Sequence, residues 1–235
     1  MCGRFVQIDA TITRLQAIHE FQIGTDSYPP HRHRLESYNV APQRMVTVIK
    51  NINGQLELDE MLWGIKPKWA KDRAHNLINA RSEGISEKKT FRHLLNQKIV
   101  VPAEGFYEWK SGGASESDFR LKKTPYYFYR SDGNPVLMAG IFEHSRDSET
   151  GEEIEAFVIL TTAANSMMSQ YHDRMPVIVE PAQLPEWLSR ETDNSLLERI
   201  TAPPPNDTLK TYRVSNKVNS SRTDGHELIE EDRQA

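Results

Sequence analysis

Apolar and polar positions alternate along this chain in short runs rather than in long helical repeats. Residues 45–50 and 56–62 read as two strands joined through Asn53-Gly54, a dipeptide suited to a tight hairpin turn. Further strands are predicted at 98–103, 126–130, 136–142, 156–162 and 177–179, with a last one around Tyr212. Segments 126–130 and 136–142 flank Asp132-Gly133, which predicts a second hairpin. Helical spacing is confined to four places. Asp9 can cap a helix carrying Ile12, Leu15 and Ile18 on one face, and 83–97 places Ile85, Phe91, Leu94 and Leu95 as its apolar positions. A short helix is expected over 165–171, and Pro181 opens another that runs to Arg190.

Between these elements, 24–37, 111–118 and 144–153 read as polar loops. The Pro-rich run at 202–205 breaks the chain before its last strand, and the charged tail from Glu230 is expected to fray. Strands outnumber helices, and no strand–helix–strand alternation recurs. The predicted class is therefore α+β: mixed, mainly antiparallel sheets closing toward a barrel, flanked by helices, in one domain over 1–235.

Composition narrows the setting. The 235 residues are 37% hydrophobic and 26% charged, enough for a sizeable core. No apolar run approaches the roughly 20 residues of a membrane span, and no secretory pattern opens the chain. The only cysteine, Cys2, excludes an internal disulfide and four-cysteine zinc sites, so a reducing, cytoplasmic setting is expected. Net charge is −4 and uneven. Residues 1–110 carry 16 Lys and Arg against 12 Asp and Glu, and residues 111–235 carry 13 against 21. That asymmetry permits a basic surface on an acidic protein, or only ordinary surface variation.

The candidate chemistry starts at Cys2. Removal of Met1 would leave an α-amine and a thiol on one residue, both available near neutral pH. A 1,2-aminothiol can condense with an aldehyde to a thiazolidine, or the thiol can attack an acyl carbon with the amine as base. A terminal cysteine without a role is the other reading. Asn79 and Arg81 alternate in an extended segment and so face one side, suited to a substrate oxygen and a phosphate, or to a surface ion pair. Glu108 lies between Tyr107 and Trp109, where a desolvated carboxylate could move protons; an outward-facing glutamate on a strand is the alternative. His172 is a candidate proton carrier or a structural histidine. Trp69, beside Lys66 and Lys68, could stack on a nucleobase or cover the edge of the core. The remaining histidines lack metal-ligand spacing, and no metal or cofactor is assigned.

Taken together, the motifs resemble the SRAP family of abasic-site processing proteins. The matches are MCGRF at 1–5, YNVAP at 38–42, WG at 63–64, NARSE at 79–83, GFYEW at 105–109, HDRMP at 172–176 and VSNKVN at 214–219. The resemblance implies a cleft for single-stranded DNA containing abasic sites, possibly at strand junctions, in a protein expected to act as a monomer. It implies that Cys2, exposed by loss of Met1 or by self-processing, forms a thiazolidine with the ring-opened abasic aldehyde. Glu108 and His172 would then move protons, and Asn79 would hold the N-terminus or a sugar oxygen. Arg4, Arg81 and Arg174 would bind phosphates, Asn39 and Pro42 would shape a wedge in the DNA, Trp69 would stack, and Thr161 would line the pocket. Some members carry two adjacent tryptophans where this chain has Trp69-Ala70, which weakens the stacking expected here. Two other readings of Cys2 stand beside this one: an N-terminal-nucleophile amidohydrolase, whose members also begin Met-Cys-Gly, and a thiol peptidase using His172.

Overall fold

A computed structural model describes residues 2–8, 11, 13–15, 23–24, 36–67, 76–111, 123–146, 151–189 and 193–233. The capping Asp9 with Ile12 and Ile18, the 112–118 part of the second polar loop and Trp69 lie outside the described residues. So does nearly all of the 24–37 loop.

Thirteen strands run in chain order among the described residues. They are β1 Phe5–Gln7, β2 Ile23–Gly24, β3 Ser37–Val40, β4 Met45–Ile52, β5 Gln55–Trp63, β6 Asn79–Arg81 and β7 Lys98–Ala103. Then follow β8 Gly105–Lys110, β9 Thr124–Arg130, β10 Val136–Arg146, β11 Glu153–Ala163, β12 Arg174–Pro176 and β13 Leu209–Arg213. The expected first hairpin forms. Asn53 and Gly54 both take positive φ, 53° and 91°, the backbone that lets a two-residue turn follow the twist of its strands. The Asn51 carboxamide oxygen accepts the Gly54 N–H at 2.8 Å and closes the turn.

Five strands close on themselves. β4 pairs with β5, β5 with β11, β11 with β10, β10 with β7, and β7 with β4. The β5–β11 pairing is parallel and the others antiparallel, so the expected mixed α+β sheet closing into a barrel is what the chain forms. Closure removes sheet edges that would otherwise be open to other chains. A second sheet, ordered β13-β9-β8-β1-β3, is antiparallel throughout. β7 and β8 belong to different sheets although only Glu104 separates them. Its N–H donates to the Val6 carbonyl, and its carboxylate accepts from Thr11 and pairs with Arg14.

The barrel strands are apolar on both faces, as strands covered on both sides must be. Alternate residues Ile99, Val101, Met138, Phe157 and Ile159 join Phe5, Phe106, Phe128 and Cys2 in one cluster. Their neighbours Val100, Leu137, Ala139, Val158 and Leu160 form another, with Trp187 and Ile200 beneath the helices. Each fully buried Phe or Ile contributes about 1.5–3 kcal/mol.

Several local expectations change. Asp132-Gly133 makes no hairpin, because β9 is paired on both edges by β8 and β13 while β10 belongs to the barrel. The segment crosses between sheets instead. Asp132 accepts from Arg130 and from Asn134, and the guanidinium holds the Asp132 carboxyl down to about 2. The 83–97 helix is two 3-10 turns, Ile85–Glu87 and Arg92–Leu94. Gly84 is left-handed at the start of the first and Lys88 is extended at its end, and Ile85, Phe91 and Leu94 still reach the core. The Asn165–Tyr171 region holds only the 3-10 turn Met168–Gln170, and Pro181 opens the 3-10 turn Pro181–Gln183 and the short helix Leu184–Trp187. β12 lies at Arg174–Pro176, just before the strand expected at 177–179, where the Val177 N–H donates to the Leu160 carbonyl, its carbonyl accepts from Ala139, and the Val179 N–H donates to the Leu137 carbonyl. The predicted 144–153 loop is shorter, because β10 extends to Arg146 and β11 starts at Glu153. A helix at Asn194–Thr201, capped by Asp193, was not anticipated. The tail is held as far as Asp232, whose N–H donates to the Arg213 carbonyl at 2.9 Å.

Gly105 tests the joint between the sheets. A Cβ there would stand 2.2 Å from the Phe128 carbonyl oxygen and 2.6 Å from the Tyr127 ring. Gly105→Ala is expected to cost about 3 kcal/mol, read as a lower midpoint in urea unfolding.

Candidate active site

Register brings the N-terminal residues to the candidate acid. β1 pairs with β8 as Phe5 with Phe106 and Val6 with Gly105. The Tyr107 N–H continues this ladder to the Arg4 carbonyl at 2.9 Å, so Gly3 and Cys2 run alongside Glu108 and Trp109. Gly3 and Glu108 line a cleft of about 940 Å³ together with Arg4, Trp109 and His172. Cys2 lies behind that wall and is fully buried, its Sγ 4.0 Å from the Met138 sulfur.

Burial pushes the Cys2 thiol well above its ordinary value, and the charge of Glu108 adds to the rise. The Arg4 backbone N–H, bonded to the sulfur, pulls the other way. The thiol is therefore protonated and weakly nucleophilic in this arrangement.

Asn79 joins the site from the barrel. β6 runs parallel to β11, with Asn79 opposite Ile159 and Arg81 opposite Thr161. The Asn79 amide donates to the Cys2 carbonyl at 2.8 Å. Its side-chain oxygen is buried and has no hydrogen-bond partner among the described residues. An acceptor left in that state beside residue 2 suits a donor the present arrangement lacks.

His172 follows the Met168–Gln170 turn. Its Nδ1 accepts the Arg174 N–H at 2.9 Å and lies 2.9 Å from an Asp173 carboxylate oxygen. A neutral ring uses Nδ1 as acceptor and so carries its proton on Nε2. A protonated ring can turn the Nδ1 proton to Asp173, so the histidine has a partner in either state.

The predicted phosphate contacts divide. Arg81 is exposed, and its carbonyl accepts from Lys88. Arg174 is buried: it grips both Glu83 oxygens at 2.6 and 2.7 Å and donates to the Thr161 carbonyl at 2.5 Å. That pairing holds the Glu83 carboxyl below its ordinary value. Thr161 is wholly buried beneath this pair. Arg4 lines the cleft but donates to the Asn39 side chain and the Val218 carbonyl, both at 2.8 Å. Asn39 was expected to shape a DNA wedge. It is buried, and its amide donates to the Ser220 and Thr223 carbonyls, which braces the 218–223 segment. Pro42 sits half-buried in the turn between β3 and β4.

Residue-by-residue reading gave no role to the opposite wall of the cleft. Lys123, Arg213, Asn216 and Asn219 line it, and the Trp109 indole donates to the Asn219 carboxamide at 2.6 Å. The VSNKVN motif at 214–219 pointed to this segment but not to which side chains face inward. Among the described residues, no group of three or more His, Cys, Asp or Glu is placed to hold a metal. No helix among them is long and apolar enough to cross a membrane.

Residues 1–221 match the family model described as SOS response associated peptidase (SRAP). The chain is 35% identical over 234 residues to the abasic site processing protein YoqW of Bacillus subtilis, covering 98% of this chain and 99% of that protein. It is 33% identical to the abasic site processing protein YedK of Escherichia coli, covering 98% and 99%. Similarity extends to the abasic site processing protein HMCES of Xenopus tropicalis, at 26% identity over 87% of this chain and 67% of that one. Among solved structures, a protein from Bacteroides thetaiotaomicron superposes with a TM-score of 0.79 at 24% identity, covering 98% of this chain and all of that one. A phage-related protein from Bordetella bronchiseptica superposes with a TM-score of 0.69 at 26% identity, covering 92% and 95%.

The burial of Cys2 sets its reactivity before any processing. In the chain that retains Met1, iodoacetamide at pH 8 is expected to label Cys2 at least roughly a hundred-fold more slowly than in guanidinium-unfolded protein. Equal rates in the two states would place the thiol on the surface.

Proposed function

This chain belongs to the SRAP family, and on that premise we propose that it processes abasic sites in single-stranded DNA by forming a covalent bond through Cys2. The observation that carries the reading is the convergence around residue 2: Asn79 bonds the Cys2 carbonyl, and Glu108 and His172 line the cleft beside Gly3.

Loss of Met1 frees the Cys2 α-amine. The amine adds to C1′ of the ring-opened sugar, and loss of one water leaves an imine. The Cys2 sulfur then attacks C1′ and closes a thiazolidine, its proton passing to the ring nitrogen. The net change is one aldehyde and one aminothiol joined with release of one water. Glu108 moves protons while the sugar opens and water leaves, and His172 offers Nε2 for the same work. The unmatched Asn79 oxygen takes an N–H of the new amine, holding it over C1′. A positive amine on the same residue also favours the thiolate that burial suppresses. Self-processing at the Met1–Cys2 bond would use the same residues, and the peptidase in the family's name supports that reading.

The DNA backbone would follow the basic surface. The exposed Arg81 would bind a phosphate, and Lys123 and Arg213, which line the cleft, would add further contacts. Arg4 and Arg174 add positive charge while bonded to their own frames. Asn39 and Pro42 would shape the wedge, with Trp69 stacking on a base, and a single protein molecule would accept the bent strand.

The test is a denaturing gel with intact-mass readout after incubation with abasic single-stranded DNA. The processed protein is expected to gain the mass of the DNA less one water. Cys2→Ala is expected to lose the adduct and keep salt-sensitive binding; a full-strength adduct in that variant would overturn the reading. Arg81→Ala should weaken binding and make the slope of log K against log salt shallower by about one.

A further inference from the structure

The two side chains proposed to move protons come from different parts of the fold. Glu108 belongs to β8 of the second sheet, whereas His172 lies in the 164–173 segment between β11 and β12 of the barrel sheet. That segment closes at its base, where the Ala164 N–H donates to the Asp173 carbonyl at 3.0 Å. Both residues line one cleft, so some contact between the sheets must fix how far apart they stand. Proton transfer tolerates little error in that distance.

A set of ring contacts supplies the link. β8 and β9 pair Glu108 directly with Tyr126, which puts both side chains on one face of the sheet. The Tyr126 ring meets the half-buried Tyr171 ring edge-on, with centres 4.7 Å apart. The Phe128 ring of β9 meets Tyr171 edge-on at 5.2 Å. Lys110 of β8 places its ammonium 5.1 Å from the centre of the same ring. Tyr171 is thus held between side chains of β8 and β9. Its backbone is tied to its own segment, since the Tyr171 and His172 N–H groups both donate to the Met168 carbonyl, at 2.9 and 3.0 Å. His172 is the next residue in the chain, and its Nδ1 accepts from the Arg174 N–H.

We propose that Tyr171 is a positioning residue for the reaction at Cys2: its ring docks the 164–173 segment on β8 and β9 and so sets the separation of His172 from Glu108. Tyr171 acts through His172 rather than on the sugar. The contacts are made by the ring, so the position needs an aromatic side chain and not the hydroxyl. The inference rests on the proton-transfer roles proposed above for Glu108 and His172.

The test compares Tyr171→Leu with Tyr171→Phe in three readouts: the rate of adduct formation with abasic single-stranded DNA, affinity for that DNA, and hydrogen exchange of the Arg174 N–H by NMR. Tyr171→Leu is expected to slow adduct formation about ten- to a hundred-fold while affinity stays within about two-fold. It should speed Arg174 exchange about ten-fold and leave barrel amides such as Ile159 unchanged. Tyr171→Phe is expected to match the unaltered chain in all three. Tyr126→Leu removes the same ring contact from β9 and should reproduce the loss, so the test survives if Tyr171→Leu does not fold. In a His172→Ala background, Tyr171→Leu is expected to cause no further slowing. Losses that multiply there, a slow Tyr171→Phe variant, or undisturbed Arg174 exchange in Tyr171→Leu would each overturn the positioning role. Arg174 exchange is read without DNA, so it decides the docking of His172 even if no adduct forms at Cys2, and the two failures are distinguishable.

Discussion

The antiparallel register of β1 against β8 is the constraint on which the rest of the site depends. It needs Gly105, because a side chain there would run into the Phe128 carbonyl and the Tyr127 ring. With that approach allowed, Phe5 faces Phe106, which stacks on Phe128 at 5.3 Å, and the Arg4 carbonyl meets the Tyr107 N–H. The residues before Arg4 then have one path, past Glu108 and into the barrel core. The thiol is placed by backbone pairing rather than by a flexible side chain, which is how a reactive group is held to a fixed geometry.

The barrel supplies the other half. β11 is paired by β10 and then β12 along one edge and by β5 and then β6 along the other. It therefore brings Asn79, Arg81, Thr161 and Arg174 to one region although they lie far apart in sequence. The arginines there are not equivalent. Arg174 neutralises Glu83 and ties β12 to the 82–84 turn, and Arg4 holds the C-terminal segment through Val218. Both combine local charge with structure, whereas Arg81 is exposed. Buried arginines bonded in this way are stiff, so the surface they support keeps its shape when DNA arrives.

Much of this was legible in the sequence, and the misses have physical causes. Asn53-Gly54 announced its hairpin because both residues tolerate positive φ. Asp132-Gly133 carried the same signal but failed, since pairing partners are chosen by the whole sheet and both edges of β9 were taken. The apolar residues at 85, 91, 94 and 95 were correctly read as core, but left-handed Gly84 and extended Lys88 split the helix they suggested. At the site, the sequence singled out Asn79, Glu108 and His172, and the fold brings Glu108 and His172 to one cleft and bonds Asn79 to Cys2. That Asn39 is buried and braces the 218–223 segment was not legible, because such an amide looks, in sequence, like one that faces a ligand.

The central claim is a bond from one DNA carbon to both the nitrogen and the sulfur of Cys2. Because the sequence holds a single cysteine, growth on 15N-cysteine labels that residue alone. NMR of its adduct with DNA carrying 13C at the abasic C1′ reads the bond directly. The account predicts a tetrahedral C1′ with one-bond coupling to the Cys2 nitrogen. A C1′ bound only to sulfur, or to an unlabelled nitrogen, would contradict it.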